Sequence, residues 1–230
     1  MKLLLFDVDQ TLIYTGGAGL RALDRACRKH LAVENATEGI SAHGKTDPAI
    51  IREILLARVG SDSTLEIQLQ SILESYLLFL REEVQLSPGY RVLPGIVEIL
   101  REMSAQTGVV IGLATGNVEV GARIKLDRGN LNPYFTFGGF GSDSENRTTL
   151  VKKAADAAVQ KCGSAIEPED IFVIGDTPRD IEAGKDAGFR TVGVATGNYS
   201  LEQLRTAGAN IAISDFQQGH DHFLRSAFME

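Results

Sequence analysis

Short, continuous runs of apolar residues recur along the chain, with little alternation between apolar and polar positions. Such runs are typical of strands that are buried on both faces of a parallel sheet. The runs predicted as strands are Leu3–Phe6, Val109–Ala114, Ile171–Ile174 and Thr191–Val194, with Asn210–Ile213 as a possible last one. Stretches with helical periodicity, such as Gly95–Met103 and Val151–Lys161, accompany them. This alternation of strand and helix predicts an α/β fold with a doubly wound parallel sheet.

A long interval separates the first predicted strand from the second. It spans about a hundred residues, whereas a simple crossover needs only a few residues and one helix. Its apolar spacing predicts helices over Gly19–Leu31, from Asp47 onward and over Ser63–Val84. We therefore predict that residues 14–86 form an inserted helical domain and that residues 1–13 and 87–230 form the α/β core.

The start of the middle helix of this insert is marked by Thr46-Asp47-Pro48. Proline is favoured at the first helical position, and the aspartate before it can accept hydrogen bonds from the free amides of the first turn. The pattern therefore predicts Asp47 as the helix cap. Cys27 lies on the apolar stripe of the first helix and is predicted as a core residue. A buried strand is predicted to hold three phenylalanines, Phe135, Phe137 and Phe140.

The charge balance argues against a polyanionic partner. The 230 residues include 23 Lys and Arg against 30 Asp and Glu, for a formal net charge of −7. Such a chain has no basic field with which to hold a phosphodiester backbone, so nucleic acid is not expected as a partner. With 43% hydrophobic and 23% charged residues, the composition is that of an ordinary soluble globular protein.

Cysteine content and the N-terminal pattern favour a cytoplasmic protein without a membrane partner. The cysteines are Cys27 and Cys162, and the sequence has neither a CxxC pair nor a cluster of Cys and His. A disulfide framework or a structural zinc site is therefore not indicated, which fits a reducing compartment. The first apolar run stops at Asp7, short of the ~7–15 residues of a signal-peptide core and the ~20 of a membrane span.

Polar residues that could take part in catalysis or ligand binding follow the predicted strands. Asp7 and Asp9 follow the first strand, and Asp176 and Asp180 follow the third. Thr115-Gly116-Asn117 stand at the end of the second, where a small hydroxyl and turn amides are candidates for binding an anionic oxygen such as that of a phosphate. These strand ends share one edge of an open parallel sheet, where ligands bind. Taken singly, a D-x-D pair is often a solvated strand end, and a Thr or Asp after a strand often only caps a helix. Four carboxylates at one edge, however, repel one another unless a hard cation neutralises them.

These motifs resemble those of the haloacid dehalogenase superfamily, most closely its small-molecule phosphatases of the phosphoglycolate phosphatase type. The resemblance implies a Rossmann-like core with a helical cap domain, and hydrolysis of a small phosphorylated metabolite through an aspartyl phosphate. It implies that Asp7 is the nucleophile and that Asp9 is the general acid and base. The D-x-D-x-T motif ends at Thr11, and the second motif is matched by Thr115. The resemblance implies that both threonines belong to the phosphate-binding site. The resemblance also implies Mg²⁺ as cofactor, bound by Asp7, the backbone carbonyl of Asp9, Asp176 and Asp180.

The third motif of the family departs from its usual form, which is a lysine just before the helix that precedes the second acidic pair. Arg147 stands where this cation is expected. The alternatives are Lys152, Lys153 and Lys125, of which the first two can equally be the exposed face of a helix. The choice matters because Arg and Lys are not interchangeable at a phosphate.

In such phosphatases the cap contacts the substrate, and here the loop of residues 41–47 leads into a cap helix. Lys45 is a candidate for pairing with a second anionic group of the substrate, with a solvated loop lysine as the alternative, and His43 is similarly placed. Other functions on the same scaffold are a dehalogenase, which has no use for Asp9, a phosphonatase, which needs a Schiff-base lysine in the cap, and a non-enzymatic phosphate-binding module. The sequence leaves the substrate's organic part and the number of subunits open.

Overall fold

The computed structural model describes residues 1–60 and 63–228. Its strands are β1 (Lys2–Phe6), β2 (Ile13–Tyr14), β3 (Arg91–Val92), β4 (Val109–Thr115), β5 (Gly138–Phe140), β6 (Ile171–Gly175), β7 (Arg190–Val194) and β8 (Ile211–Ile213). Its helices are α1 (Ala18–Leu31), α2 (Asp47–Arg58), α3 (Leu65–Leu86), α4 (Ile96–Ala105), α5 (Glu119–Asp127), α6 (Arg147–Cys162), α7 (Pro178–Ala187), α8 (Leu201–Thr206) and α9 (His220–Phe228).

The main sheet has six parallel strands in the order β5-β4-β1-β6-β7-β8. From β1 the chain builds outward to β4 and β5 on one side, and later to β6, β7 and β8 on the other. The winding therefore reverses at β1, and ligands of open parallel sheets bind beyond the carboxyl ends of the strands at such a reversal. The predicted doubly wound α/β fold is confirmed.

Strand β1 shows why the sequence pattern lacks alternation. Leu4 and Phe6 pack into a hydrophobic cluster together with α4 and α9. Leu3 and Leu5 point to the other face and pack into a second cluster with α6 and α7. Because helices cover both faces of the sheet, every position of the strand from Leu3 to Phe6 is buried and apolar.

Helices α1, α2 and α3 share a third hydrophobic cluster of their own. Cys27 is fully buried within it, as predicted. Ile124 of α5 belongs to the same cluster and joins it to the sheet region. The chain enters the helical insert through β2 and leaves it through β3, and these two short strands pair antiparallel. Both connections between the insert and the sheet therefore run side by side.

Some predicted boundaries are wrong. Helix α3 begins and ends two residues later than predicted, and α6 begins at Arg147 and not at Val151. The strand predicted around three phenylalanines contains only Phe140: the chain forms a 3-10 turn at Asn132–Tyr134 and joins the sheet only at Gly138. Phe135 is nevertheless buried against the core, so its apolar character reflects packing and not strand structure.

Candidate active site

The carboxyl ends of β1, β4 and β6 open into one cavity of about 320 Å³. Asp7 follows β1, Thr115 ends β4 and Asp176 follows β6, and all three line this cavity. Leu23 of α1 and Tyr76 of α3 line it from the opposite side. The cavity therefore lies between the edge of the sheet and the inserted helices.

Three buried carboxylates gather at this edge. One oxygen of each of Asp7, Asp176 and Asp180 lies within 4.8 Å of the others. Burial raises the pKa of Asp7 and of Asp176, and repulsion from the neighbouring carboxylates raises both further, although Arg147 opposes the shift. Oxygen ligands at this spacing suit a hard divalent cation, whose charge would relieve the repulsion. The residues present therefore fit the metal that the resemblance implies.

Asp180 is turned toward this cluster by a reciprocal cap at the start of α7. Its Oδ2 accepts hydrogen bonds from the backbone N of Thr177 at 3.0 Å and from the Thr177 hydroxyl at 2.7 Å. Thr11 is placed behind the cluster: its hydroxyl is fully buried and donates to Asp176 Oδ1 at 3.4 Å. Among the described residues, Thr11 is not one of those that line the cavity, so in this structure it supports a carboxylate.

Arg147 reaches the cluster from the first turn of α6. The Asn146 side chain caps this helix by accepting from the Thr149 amide at 2.9 Å, which makes Arg147 its first residue. Arg147 Nη2 lies 3.1 Å from Asp7 Oδ1 and also contacts Asp180 Oδ1. Burial acts to lower the pKa of Arg147, but the two carboxylates outweigh it and raise the pKa. The guanidinium therefore stays charged beside Asp7.

The lysines that the sequence offers as alternatives occupy two environments. Lys152 is exposed, and Lys153 Nζ donates to the backbone carbonyl of Asp143 at 2.9 Å. Lys125 is buried, and its Nζ lies 2.6 Å from Asp9 Oδ2. Burial acts to lower the pKa of Lys125, but the charge of Asp9 and other neighbours raises it. The site therefore contains two buried cations, each facing a different carboxylate.

Asn117 connects the turn after β4 to Asp9. Its Nδ2 donates to Asp9 Oδ2 at 2.9 Å and to the Thr115 hydroxyl at 2.8 Å. Its Oδ1 accepts from Lys125 Nζ at 2.5 Å. Asp9 Oδ2 thus has two donors, and the side chain is held in one orientation at the cavity wall. The structure places the Asn117 amide on Asp9, where the sequence predicted a contact with phosphate.

The loop before α2 lies directly against the same turn. The backbone N of Asp47 donates to the Gly116 carbonyl at 2.8 Å. A Cβ atom at Gly116 would overlap the backbone carbonyl of Lys45, so this close approach requires glycine. Gly116 therefore brings the insert and the sheet together at the cavity.

The predicted cap of α2 is wrong. Thr46 is the N-cap and its hydroxyl accepts from a first-turn amide at 3.3 Å, while Asp47 and Pro48 are the first two residues of the helix. The Asp47 carboxylate instead reaches the core and accepts from the Val118 amide at 2.9 Å. Its removal from solvent raises the pKa of Asp47 to about 6, against the opposing effect of Lys125. Asp47 is therefore a residue of the cavity wall as well as of the insert.

Both candidates on the loop of residues 41–47 line the cavity and have partners within the protein. Lys45 Nζ forms an ion pair with Glu53 of α2. His43 Nε2 lies 2.8 Å from Asn198 Nδ2. Asn198 is a cavity residue that the sequence analysis missed, although a signal was present. The tetrapeptide Ala195-Thr196-Gly197-Asn198, which follows β7, repeats Ala114-Thr115-Gly116-Asn117 at the carboxyl end of β4.

The fold and the site together define a doubly wound α/β enzyme whose acidic centre lies beneath inserted helices. A model of the haloacid dehalogenase-like hydrolases matches residues 1–188 of the chain. The phosphoglycolate phosphatase of Aquifex aeolicus (strain VF5) is 30% identical over 200 residues, which cover 83% of this chain and 83% of that protein. The chain belongs to the haloacid dehalogenase-like hydrolases, and the resemblance seen in its motifs is confirmed.

Two further comparisons extend this result. A protein described as probable phosphatase IndB from Dickeya dadantii (strain 3937) is 24% identical over 217 residues, covering 94% of this chain and 90% of that protein. Among solved structures, a hydrolase from Pseudomonas syringae has a TM-score of 0.73 at 20% identity and covers 97% of this chain and 98% of that one, a likeness of fold. Within residues 1–60 and 63–228, no helix is both long and apolar enough to cross a membrane.

Proposed function

We propose that the protein is a phosphatase that hydrolyses small phosphomonoesters through an aspartyl phosphate on Asp7. The observation that carries this proposal is the grouping of Asp7 with Arg147 at 3.1 Å and with two further carboxylates in one cavity wall. A phosphomonoester dianion repels a carboxylate, so attack requires positive charge around the phosphoryl group. The names of relatives, which include phosphoglycolate phosphatase and probable phosphatase, support the same activity.

Mg²⁺ is the cofactor in this proposal, with Asp7, Asp176, Asp180 and the backbone carbonyl of Asp9 as its protein ligands. When bound, it supplies positive charge that offsets the repulsion between nucleophile and phosphate. The clustering of the three side chains within 4.8 Å supports one shared cation. Arg147 contributes the second positive charge, since its guanidinium can contact an oxygen of the transferring phosphoryl group.

The protein's own residues then divide the chemistry. Asp7 attacks phosphorus in line as the bond to the leaving oxygen breaks. Asp9 gives a proton to that oxygen and later takes one from the water that hydrolyses the aspartyl phosphate. Lys125 and Asn117 are positioning residues, because both donate to Asp9 Oδ2 and leave Oδ1 for the reacting groups. Thr115 lines the same wall, where its hydroxyl can bind a phosphoryl oxygen.

We further propose that residues 14–86 act as a cap domain over the core formed by residues 1–13 and 87–230. Helices α1 to α3 pack around their own hydrophobic cluster, and β2 and β3 run side by side into the core. Such an insert can move as a unit on paired connections. With the loop of residues 41–47 against Gly116, the cap covers the cavity and excludes water from the reaction.

The test is phosphate release from 4-nitrophenyl phosphate and from a panel of phosphorylated metabolites. Asp7→Asn is expected to lose at least about 10³-fold in kcat, because an amide cannot form the acyl phosphate. Asp156 lies exposed on α6, so Asp156→Asn makes the same chemical change away from the cavity and serves as the matched control. If Asp7→Asn and wild type show comparable turnover, the assignment of Asp7 as the nucleophile is wrong. If wild type releases phosphate from none of the esters, the proposed phosphatase function is wrong.

A further inference from the structure

Every cation of the cavity wall already faces a carboxylate. The Lys and Arg residues among the described lining residues are Arg147, which faces Asp7 and Asp180, Lys125, which faces Asp9, and Lys45, which pairs with Glu53. Arg147 lies at the phosphoryl end of the cavity, beside the proposed nucleophile. Only the two lysines are therefore available to an anionic group on the leaving alcohol.

The charge of Lys125 is balanced from two sides. Asp9 Oδ2 lies 2.6 Å from its Nζ, and the charge of Asp47 acts on it as well. Asp47 lines the same wall of the cavity and places a second carboxyl group beside Asp9 there. A second anionic group placed here would face Asp47 without a surplus of positive charge, and like charges in a partly desolvated site repel strongly.

Lys45 is engaged in the same way. Its side chain is 18% exposed and is paired with Glu53 in the second turn of α2. Binding an anion through Lys45 requires the ion pair to open and leaves Glu53 near the incoming charge. The balance of charge at the leaving-group end therefore disfavours an anionic alcohol.

Much of the remaining cap wall is apolar. Its apolar part consists of Leu20, Leu23, Ala42, Ile50 and Ile51, with the ring of Tyr76 beside them, and its polar side chains are Thr15 and His43, the latter paired with Asn198. Leu23, Ile50 and Ile51 belong to the cluster that holds the insert together. Leu20 differs, because it lines the cavity yet is 46% exposed. An apolar group on a ligand would bury this leucine and gain the corresponding transfer free energy.

We infer that the substrate is a phosphomonoester of an uncharged alcohol with an apolar face. This inference rests on the proposed phosphatase function and names the class of leaving group. Phosphoglycolate, the substrate in the name of the Aquifex aeolicus relative, carries a carboxylate on its leaving alcohol. The paired lysines and the apolar cap wall therefore disfavour phosphoglycolate as the substrate of this protein.

A matched pair of esters tests the charge. 2-Phosphoglycolate and 2-phosphoglycolamide have the same size and differ by one negative charge on the leaving group. Wild type is expected to show a kcat/KM at least about tenfold higher for the amide. 4-Nitrophenyl phosphate is the control for the phosphatase chemistry. If wild type hydrolyses that ester but prefers phosphoglycolate to the amide, the inference about the leaving group is wrong and the proposed function stands. Loss of all turnover, including that of 4-nitrophenyl phosphate, overturns the proposed function.

Variants of the wall test the residues. Leu20→Ala is expected to lower kcat/KM for benzyl phosphate about fivefold and to leave ethyl phosphate unchanged, because only the larger group reaches the apolar wall. Leu78→Ala is the matched control, since Leu78 is 63% exposed on α3 and is not among the residues that line the cavity. Glu53→Gln removes the charged partner of Lys45. It is expected to lower the ratio of kcat/KM for the amide to kcat/KM for phosphoglycolate about tenfold. The inference is overturned if the kcat/KM values of Leu20→Ala and Glu53→Gln match those of wild type on benzyl phosphate, ethyl phosphate, 2-phosphoglycolate and 2-phosphoglycolamide.

Discussion

Replacing Arg147 with lysine tests whether the site needs the shape of a guanidinium in addition to its charge. Arg147 Nη2 lies 3.1 Å from Asp7 Oδ1 and contacts Asp180, while Nη1 donates to the Gly44 carbonyl at 3.2 Å. A lysine carries a point charge on a flexible stem and cannot span these three partners. We expect Arg147→Lys to fold and to lose about 10²–10³ in kcat, or ~2.7–4 kcal/mol, the effect of one lost donor to a charged transition state.

Stability measurements separate the loss of shape from the loss of charge. Arg147→Met removes the counter-ion of Asp7 and Asp180, both of which are buried. Breaking a buried ion pair by deleting one partner costs about 3–5 kcal/mol. In metal-free buffer, the free energy of unfolding of Arg147→Met should therefore fall by that amount, and that of Arg147→Lys by clearly less. Urea unfolding measures the stability, and phosphate release from 4-nitrophenyl phosphate gives kcat and KM.

Lys153→Met supplies the matched control on the same helix. Lys153 is one of the alternatives for the third motif, and its Nζ donates to the Asp143 carbonyl. Its substitution is expected to leave kcat unchanged. A kcat of Arg147→Lys within about twofold of wild type, or a large loss in Lys153→Met, would refute the assignment of the motif-three cation to Arg147.

Three further predictions follow from the same site. Asp9→Asn should lose less kcat with 4-nitrophenyl phosphate, whose leaving group departs without a proton, than with ethyl phosphate; equal losses would speak against its acid role. Activity should require Mg²⁺ and fail in Ca²⁺, which accepts about 6–8 oxygens and can occupy both oxygens of Asp7, so full activity in chelator contradicts the metal requirement. The pKa of Asp47 is raised to about 6, so the Asp47 carboxyl group binds its proton more tightly in the folded protein than in the unfolded chain. That stabilisation is complete below about pH 4 and is lost as the pH rises through about 6. The free energy of unfolding of wild type relative to that of Asp47→Asn should therefore fall by ~1–3 kcal/mol across this window. If urea unfolding shows the same difference in free energy between the two proteins at every pH, the raised pKa of Asp47 is excluded.

The sequence was informative wherever function depends on local pattern. Strand β1 is apolar at every position from Leu3 to Phe6 because helices cover both faces, and this marks it as a central strand. Residues that follow such a strand must lie at the ligand-binding edge, so the positions of Asp7 and Asp176 could be predicted from the chain alone. The start of α6 was predicted too late because its first turn is polar, and the cap at Asn146 carries the signal there.

Contacts between residues that are far apart in the sequence could not be predicted in this way. Lys125 and Asp9 are separated by 116 residues, and no periodicity in either segment relates them. Asp47 resembles a helix cap because Asp is common at that position, yet its carboxylate accepts from the Val118 amide, which belongs to the sheet region. Such pairings depend on how the elements that carry the two residues pack against each other in three dimensions.

In the proposed reaction, Asp7 carries the phosphoryl group during turnover. The most direct test is to stop a reaction with a rapidly hydrolysed ester in acid, digest the protein and locate the phosphoryl group by mass spectrometry. Phosphorylation of the peptide that contains Asp7 is predicted for wild type, with none in Asp7→Asn. The role of Asp7 as nucleophile would be contradicted if a different residue were phosphorylated in wild type. It would also be contradicted if phosphate were released without any phosphorylated aspartate at the earliest quench times.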